Sequence, residues 1–250
     1  IENSTINASS SGIRVSKANS RVDVISGTIT AGSHGILLDG AGSSTVNYQT
    51  GTINATDVGI YAYNAGSSTV NYDDGEITAG NVGIYFNGSG SGKLNYKQGT
   101  ITSNNIGIDF NNSNSSIIHI EDVTINSKNQ GLYNNCQSAT WTIDDATITA
   151  TSSSAIDFVS TNANRSTLTI KDGTYVGTTN MVAVHGTNAT LDGGTFTNTS
   201  TSKDYYVFHV ESNASLTVNE GVIISAPNAS GIYANEVVTL NNTSVTSGNT

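Results

Sequence analysis

The sequence predicts an all-β fold: a parallel β-helix (β-solenoid) of about ten rungs of about 24 residues, each with three short strands. Three observations carry this: an internal repeat, β-branched residues at alternate positions within it, and a composition unlike that of a globular core.

The repeat comes first. STVNYQTGTINATDVGIYAYNAGS from Ser44 aligns with STVNYDDGEITAGNVGIYFNGSGS from Ser68 over 24 residues without a gap. Gly27, Gly51, Gly75 and Gly99 keep that spacing, as do Ile29, Ile53, Ile77, Ile101 and Ile125, and Gly35, Gly59, Gly83, Gly107 and Gly131. The period then loosens, but TIDDATIT, TIKDGTYV, TLDGGTFT, TVNEGVII and TLNNTSVT preserve the skeleton.

Within a rung, TVNY, GTINA and GIYAY are three strand-like runs. Alternation puts Val46, Tyr48, Ile53, Ile60 and Ala62 on one side and their neighbours on the other. AGSS and ATDV supply turns between runs. One rung cannot bury its apolar residues alone, whereas stacked rungs can, each strand pairing in parallel with its equivalent about 4.8 Å away. Ten rungs would make a rod about 50 Å long. Inward ladders then read Val22, Val46, Val70, Leu94, Ile118, Trp141, Leu168; Ile36, Ile60, Ile84, Ile108, Leu132, Ile156; and Leu38, Ala62, Phe86, Phe110, Asn134, Phe158. Asn134 interrupts the third and reads as a bulge or a shifted rung.

Composition narrows the function. Only 36% of residues are hydrophobic, so a conventional globular core is not expected. The net charge is −10 and Lys and Arg form no cluster, which excludes nucleic acid as a partner. No apolar run approaches the roughly 20 residues that span a bilayer, so no membrane insertion is expected. Cys136, the sole cysteine, precludes a disulfide framework, and NNCQS reads as a turn. The chain opens on Ile1 inside a repeat, so residues 1–250 are expected to be one domain excised from a longer surface protein.

The GxI and GIY signatures at Gly51–Ile53 and Gly59–Tyr61, and their recurrence along the chain, resemble the passenger domains of bacterial autotransporter adhesins, in the pectate-lyase-like β-helix group. The resemblance implies a right-handed helix, a place on the bacterial cell surface, and binding to a host-cell glycan or protein or to an identical copy on another cell. A near absence of proline and cysteine suits that family.

The wider group includes polysaccharide lyases and hydrolases, which makes paired carboxylates candidate catalytic residues. Asp73–Asp74, Glu121–Asp122 and Asp144–Asp145 are adjacent carboxylates expected at turns and poorly placed as a partnered acid and base. His185 in AVHGTN lacks the NTD, DD and RIK elements that accompany such a histidine in the pectin hydrolases. His34, His119 and His209 share no metal-like spacing. No enzyme activity, cofactor or metal is therefore expected, and function is assigned to outward ladders.

Three such ladders stand out. The first is Leu37, Tyr61, Tyr85, Asp109, Tyr133 and Asp157 on the third strand, with Asp39, Tyr63, Asn87, Asn111 and Asn135 two positions on. Solvent-facing tyrosines offer flat apolar rings with polar tips, suited to sugars or protein loops. Tyr61, Tyr63, Tyr85, Asp109 and Tyr133 are the candidate ligand contacts. The second is a Thr-x-Thr face on the second strand, interrupted by Glu76, of the kind that orders ice. The third is Asn47, Asn71, Asn95 and His119 on the first strand, a polar face able to hydrogen-bond an identical rod in self-association.

Overall fold

A computed structural model describes residues 1–40, 42–65, 67–88, 90–111, 114–160 and 166–248. Among these residues there are 28 strands and no helix. Every strand pairing is parallel, and each joins a strand to its equivalent one rung away. The chain is a parallel β-solenoid of about ten turns, with Thr52 paired to Glu76 and Glu76 to Thr100.

The strands fall into two sheets. Third strands form a sheet of ten, while first and second strands share a sheet of 18. The expected three short strands per rung therefore need one correction. In three consecutive rungs the first two strands merge into single 13-residue strands, Ser91–Ser103, Ser115–Ser127 and Ser138–Ala150. Pairing continues through the corner there, with Gln98 opposite Asp122 and Asp122 opposite Asp145. The corner between these runs is a bend rather than a turn.

Two glycine columns explain the signatures that mark the repeat. At Gly51 φ is +124°, and a Cβ there would fall on the carbonyl oxygen of Gly27. Gly59 marks the entry to the third strand, where a Cβ would overlap Ile77 Cγ2 and the carbonyl of Gly83. The first glycine makes the bend. The second lets the chain close over the isoleucine ladder beneath it.

The interior is the set of ladders expected from alternation. Val46, Val70, Leu94, Ile118, Trp141 and Leu168 stack in register and are buried. Aromatic residues stack inside as well: Tyr48 on Tyr72 at 4.8 Å and Phe86 on Phe110 at 4.3 Å. Each fully buried Ile or Phe contributes about 1.5–3 kcal/mol by area, which is how so polar a sequence sustains a core.

Two expectations are overturned. Asn134 is neither bulged nor shifted: it pairs in register with Phe110 and Phe158 and is fully buried. A polar network satisfies it. Ser116 Oγ donates to Asn134 Oδ1 at 2.9 Å, and Asn134 Nδ2 donates to the Val159 carbonyl at 2.7 Å. Cys136 lies not in a turn but at the buried end of the strand Leu132–Cys136, 3.6 Å from the Phe110 carbonyl.

Candidate ligand-binding face

The third-strand sheet carries the tyrosine column where alternation places it. Leu37, Tyr61, Tyr85, Asp109, Tyr133 and Asp157 are successive register partners. The rings of Tyr61 and Tyr85 lie 4.9 Å apart and 2° from parallel. His34 covers one end of this pair at 5.2 Å, and Tyr63 leans on Tyr61 at 5.6 Å. Tyr61, Tyr85 and Tyr133 are half-buried, while Tyr63 is exposed. Burial pushes the phenol of Tyr85 up to about 12, and those of Tyr61 and Tyr133 upward. The hydroxyls therefore stay protonated at neutral pH and can both donate and accept.

Asp109 departs from its expected role. Although it occupies an outward position, it is only 5% exposed, between Tyr85 and Tyr133 in the register. Its Oδ1 has no hydrogen-bond partner. Burial raises the carboxyl to about 7. A short side chain flanked by two tyrosines is covered by them, so Asp109 belongs to the base of the face rather than to its contact surface.

The asparagine face is also present, but its amides are engaged with one another. Asn47 Nδ2 donates to Asp23 Oδ1 at 2.8 Å, Asn71 to Asn47 Oδ1 at 2.8 Å, and Asn95 to Asn71 Oδ1 at 2.6 Å. His119 is in register with Asn95 but pairs with Asp144 at 3.0 Å, and Lys171 holds that carboxylate from the other side at 2.7 Å. These two partners hold the Asp144 carboxyl below its ordinary range, Lys171 having the larger effect. Each asparagine still has an N–H and oxygen lone pairs beyond the ladder bonds.

Sequence reasoning missed a second amide ladder at the corner before the third strand. Asn81 donates to Asp57 Oδ1 at 3.0 Å, Asn105 to Asn81 at 2.9 Å and Asn129 to Asn105 at 2.7 Å. A third runs from Asn219 to Asp192 and from Asn241 to Asn219. All three begin on an aspartate, which accepts and has nothing to donate. The signal for the second was legible in the 24-residue spacing of Asp57, Asn81, Asn105 and Asn129.

Of the acid pairs, Glu121–Asp122 and Asp144–Asp145 lie within continuous strands rather than at turns. All four residues are partly or fully exposed because the chain bends there. Asp73 instead pairs with Lys97 at 2.6 Å. On the second strand the threonine columns keep register from Thr28 to Thr52 and from Thr100 through Thr124 to Thr147, with Glu76 between. Two depressions on this sheet, beside Asp74 and Glu76 and beside Asn104 and Asn126, are shallow and open to solvent.

The tyrosine column also continues beyond Asp157. Asp157 pairs with Ala183, Ala183 with His209 and His209 with Tyr233. The adjacent outward column runs Val159, His185, Glu211. Tyr206 and Tyr233 flank His209, with ring centroids 6.0 and 4.9 Å away. Rungs here are 26 residues long, as the pairs Asp157–Ala183 and Ala183–His209 show, so counting by the earlier period loses the column.

These features define a parallel β-solenoid with an aromatic outward column and amide ladders along its first strands and corners. Comparison with protein-family models, curated proteins and solved structures finds no match to the chain.

Proposed function

We propose that this solenoid is a segment of a bacterial cell-surface adhesin, and that its tyrosine face binds a host-cell glycan or protein. The observation that carries the reading is the parallel Tyr61–Tyr85 pair, half-buried on the outward side of the third-strand sheet. Stacked on each other, the two rings turn edges and protonated hydroxyl tips outward, and the exposed Tyr63 ring beside Tyr61 adds flat apolar surface, a combination suited to a sugar ring with its apolar face rimmed by hydroxyls. Held by stacking and by the sheet below, the rings lose little rotamer freedom on binding, so more of the contact energy appears as affinity.

The tyrosine face is favoured over the asparagine face as the contact surface. Tyr61 and Tyr85 offer ring edges and hydroxyl tips to a partner, with the exposed Tyr63 ring beside them, whereas Asn47, Asn71 and Asn95 already use donors and acceptors along their own ladder. Binding without turnover also fits the acid pairs. Asp144 is held in an ion pair with Lys171, and Asp73 in one with Lys97. Neither is poised as a general acid.

Beads coated with the chain test this reading, scored for attachment to epithelial cells and for clumping with each other. Attachment without clumping is expected. Clumping without attachment would replace the reading with self-association between identical rods, and neither would leave a stalk. Release of reducing sugar or unsaturated product from pectin, alginate or glycosaminoglycans would replace it with a polysaccharide-active enzyme.

A further inference from the structure

We propose that His185, His209 and Glu211 form a zinc-binding site on the outward face of the third-strand sheet. Their ligand atoms all lie within 4.8 Å of one another. His209 Nε2 stands 3.1 Å from Glu211 Oε1, and His185 Nδ1 stands 3.9 Å from Glu211 Oε2. Two imidazoles thus converge on one carboxylate, each nearest a different oxygen.

The sheet builds this cluster from register alone. His209 and Glu211 are two apart on the strand Tyr206–Glu211, so they share a face, and His185 on the neighbouring strand is the register partner of Glu211. Ala183, the register partner of His209, is small and buried. The three side chains are between 18% and 29% exposed, enclosed enough to be oriented and open enough to admit an ion.

The donor set selects the ion class. Two imidazole nitrogens and one carboxylate oxygen are typical zinc ligands, at about 2.0–2.2 Å in a tetrahedral arrangement. Ligand atoms around such an ion stand about 3.3 Å apart, so the cluster needs only a modest contraction. Three protein ligands leave a fourth position for water or for a group on a partner.

Asn180 is the supporting residue. Its Nδ2 lies 3.1 Å from His209 Nδ1, and its Oδ1 accepts a long 3.3 Å bond from the Tyr206 N–H. Zinc on Nε2 places the proton on Nδ1, and the Asn180 amide must then turn its oxygen to accept it, giving up the long bond from the Tyr206 N–H and turning its NH2 toward that donor.

The other histidines lack this arrangement. His119 faces Glu121 and Asp144, but Lys171 already neutralises Asp144 and no second imidazole is near. Among the described residues His34 has a single carboxylate beside it, Asp57, and its Nδ1 is engaged by Ser33 Oγ at 2.9 Å.

The 250-residue chain, stripped with a chelator, is titrated with Zn2+ in competition with a chromophoric chelator. One Zn2+ per chain is expected, with affinity falling at least tenfold in His209→Asn and in Glu211→Gln and unchanged in His119→Asn. No stoichiometric binding, or binding that survives His209→Asn, overturns the site. Imidazole 1H–15N spectra of the unaltered chain decide the matter independently of whether any variant folds. Zinc should shift the signals of His185 and His209 and leave those of His34 and His119 in place; equal shifts at all four would mean non-specific binding and refute the proposal.

Discussion

Trp141 Nε1 donates to Ser116 Oγ at 2.8 Å inside the core. Ser116 passes the chain on to Asn134, and Asn134 to the Val159 carbonyl. One hydroxyl thus satisfies two buried groups. Ser116→Ala should strand the indole N–H and the Asn134 oxygen together, at a cost of about 2–4 kcal/mol. Ser115→Ala next to it, removing an exposed bond to Ser91, should cost under about 1 kcal/mol. Urea denaturation of the two variants makes the comparison.

Asp109 should give the rod an unusual pH dependence. Burial raises its carboxyl to about 7, from an ordinary value of 3.8. Between these values the folded chain holds a proton that the unfolded chain has released, so stability falls as pH rises. The contribution is fully present below about pH 4 and is lost as pH passes through 7. Asp157, also raised by burial, acts in the same direction. Asp109→Asn should be close to neutral at pH 4 and stabilising by on the order of 2–4 kcal/mol at pH 8. Thermal melts of both proteins across that range are the measurement.

The amide ladders have a direction. Each asparagine donates toward the N-terminal rung, ending on an aspartate that only accepts. Asn71→Asp places an acceptor where a donor is required, facing the Asn47 oxygen, and should cost about 1 kcal/mol near neutral pH. Asp23→Asn at the head keeps an acceptor for Asn47 and should leave the ladder in place. Urea midpoints at pH 7 separate the two; equal losses would contradict the directional reading.

The two glycine columns should respond unlike a loop glycine. Gly59→Ala drives a methyl into Ile77 and the Gly83 carbonyl, and should cost about 1–3 kcal/mol or more. Gly40 also has positive φ, at +60°, but a Cβ there meets nothing within 4 Å. Gly40→Ala should show only the backbone penalty, about 1 kcal/mol. Melting temperatures of the two variants provide the check.

Much of this architecture is legible in the sequence because a solenoid writes its register into its spacing. Val46 lies over Val22 and Tyr61 over Leu37 because the residues are 24 apart, and nothing else is needed to place them. What the spacing does not reveal is depth. Asp109 sits at an outward position, yet the tyrosines flanking it remove it from solvent, an effect of neighbours' size rather than of alternation. Asn134 reads as a defect until Ser116, distant in sequence, supplies its partner. The His185–His209–Glu211 cluster escaped because rungs lengthen to 26 residues there, so the two histidines, 24 apart, look like one column but occupy two.

The most direct test of the central claim is adhesion by a chain carrying Tyr61→Ser, Tyr85→Ser and Tyr133→Ser together. These side chains are half-buried on the outward face, so the rod should remain folded, as circular dichroism and a cooperative melt would show. Attachment to epithelial cells should fall at least tenfold relative to the unaltered chain, and Asn47→Ala, Asn71→Ala and Asn95→Ala combined should leave it largely intact. Full attachment by the folded tyrosine variant would contradict the account and remove the tyrosine face as the ligand-binding surface.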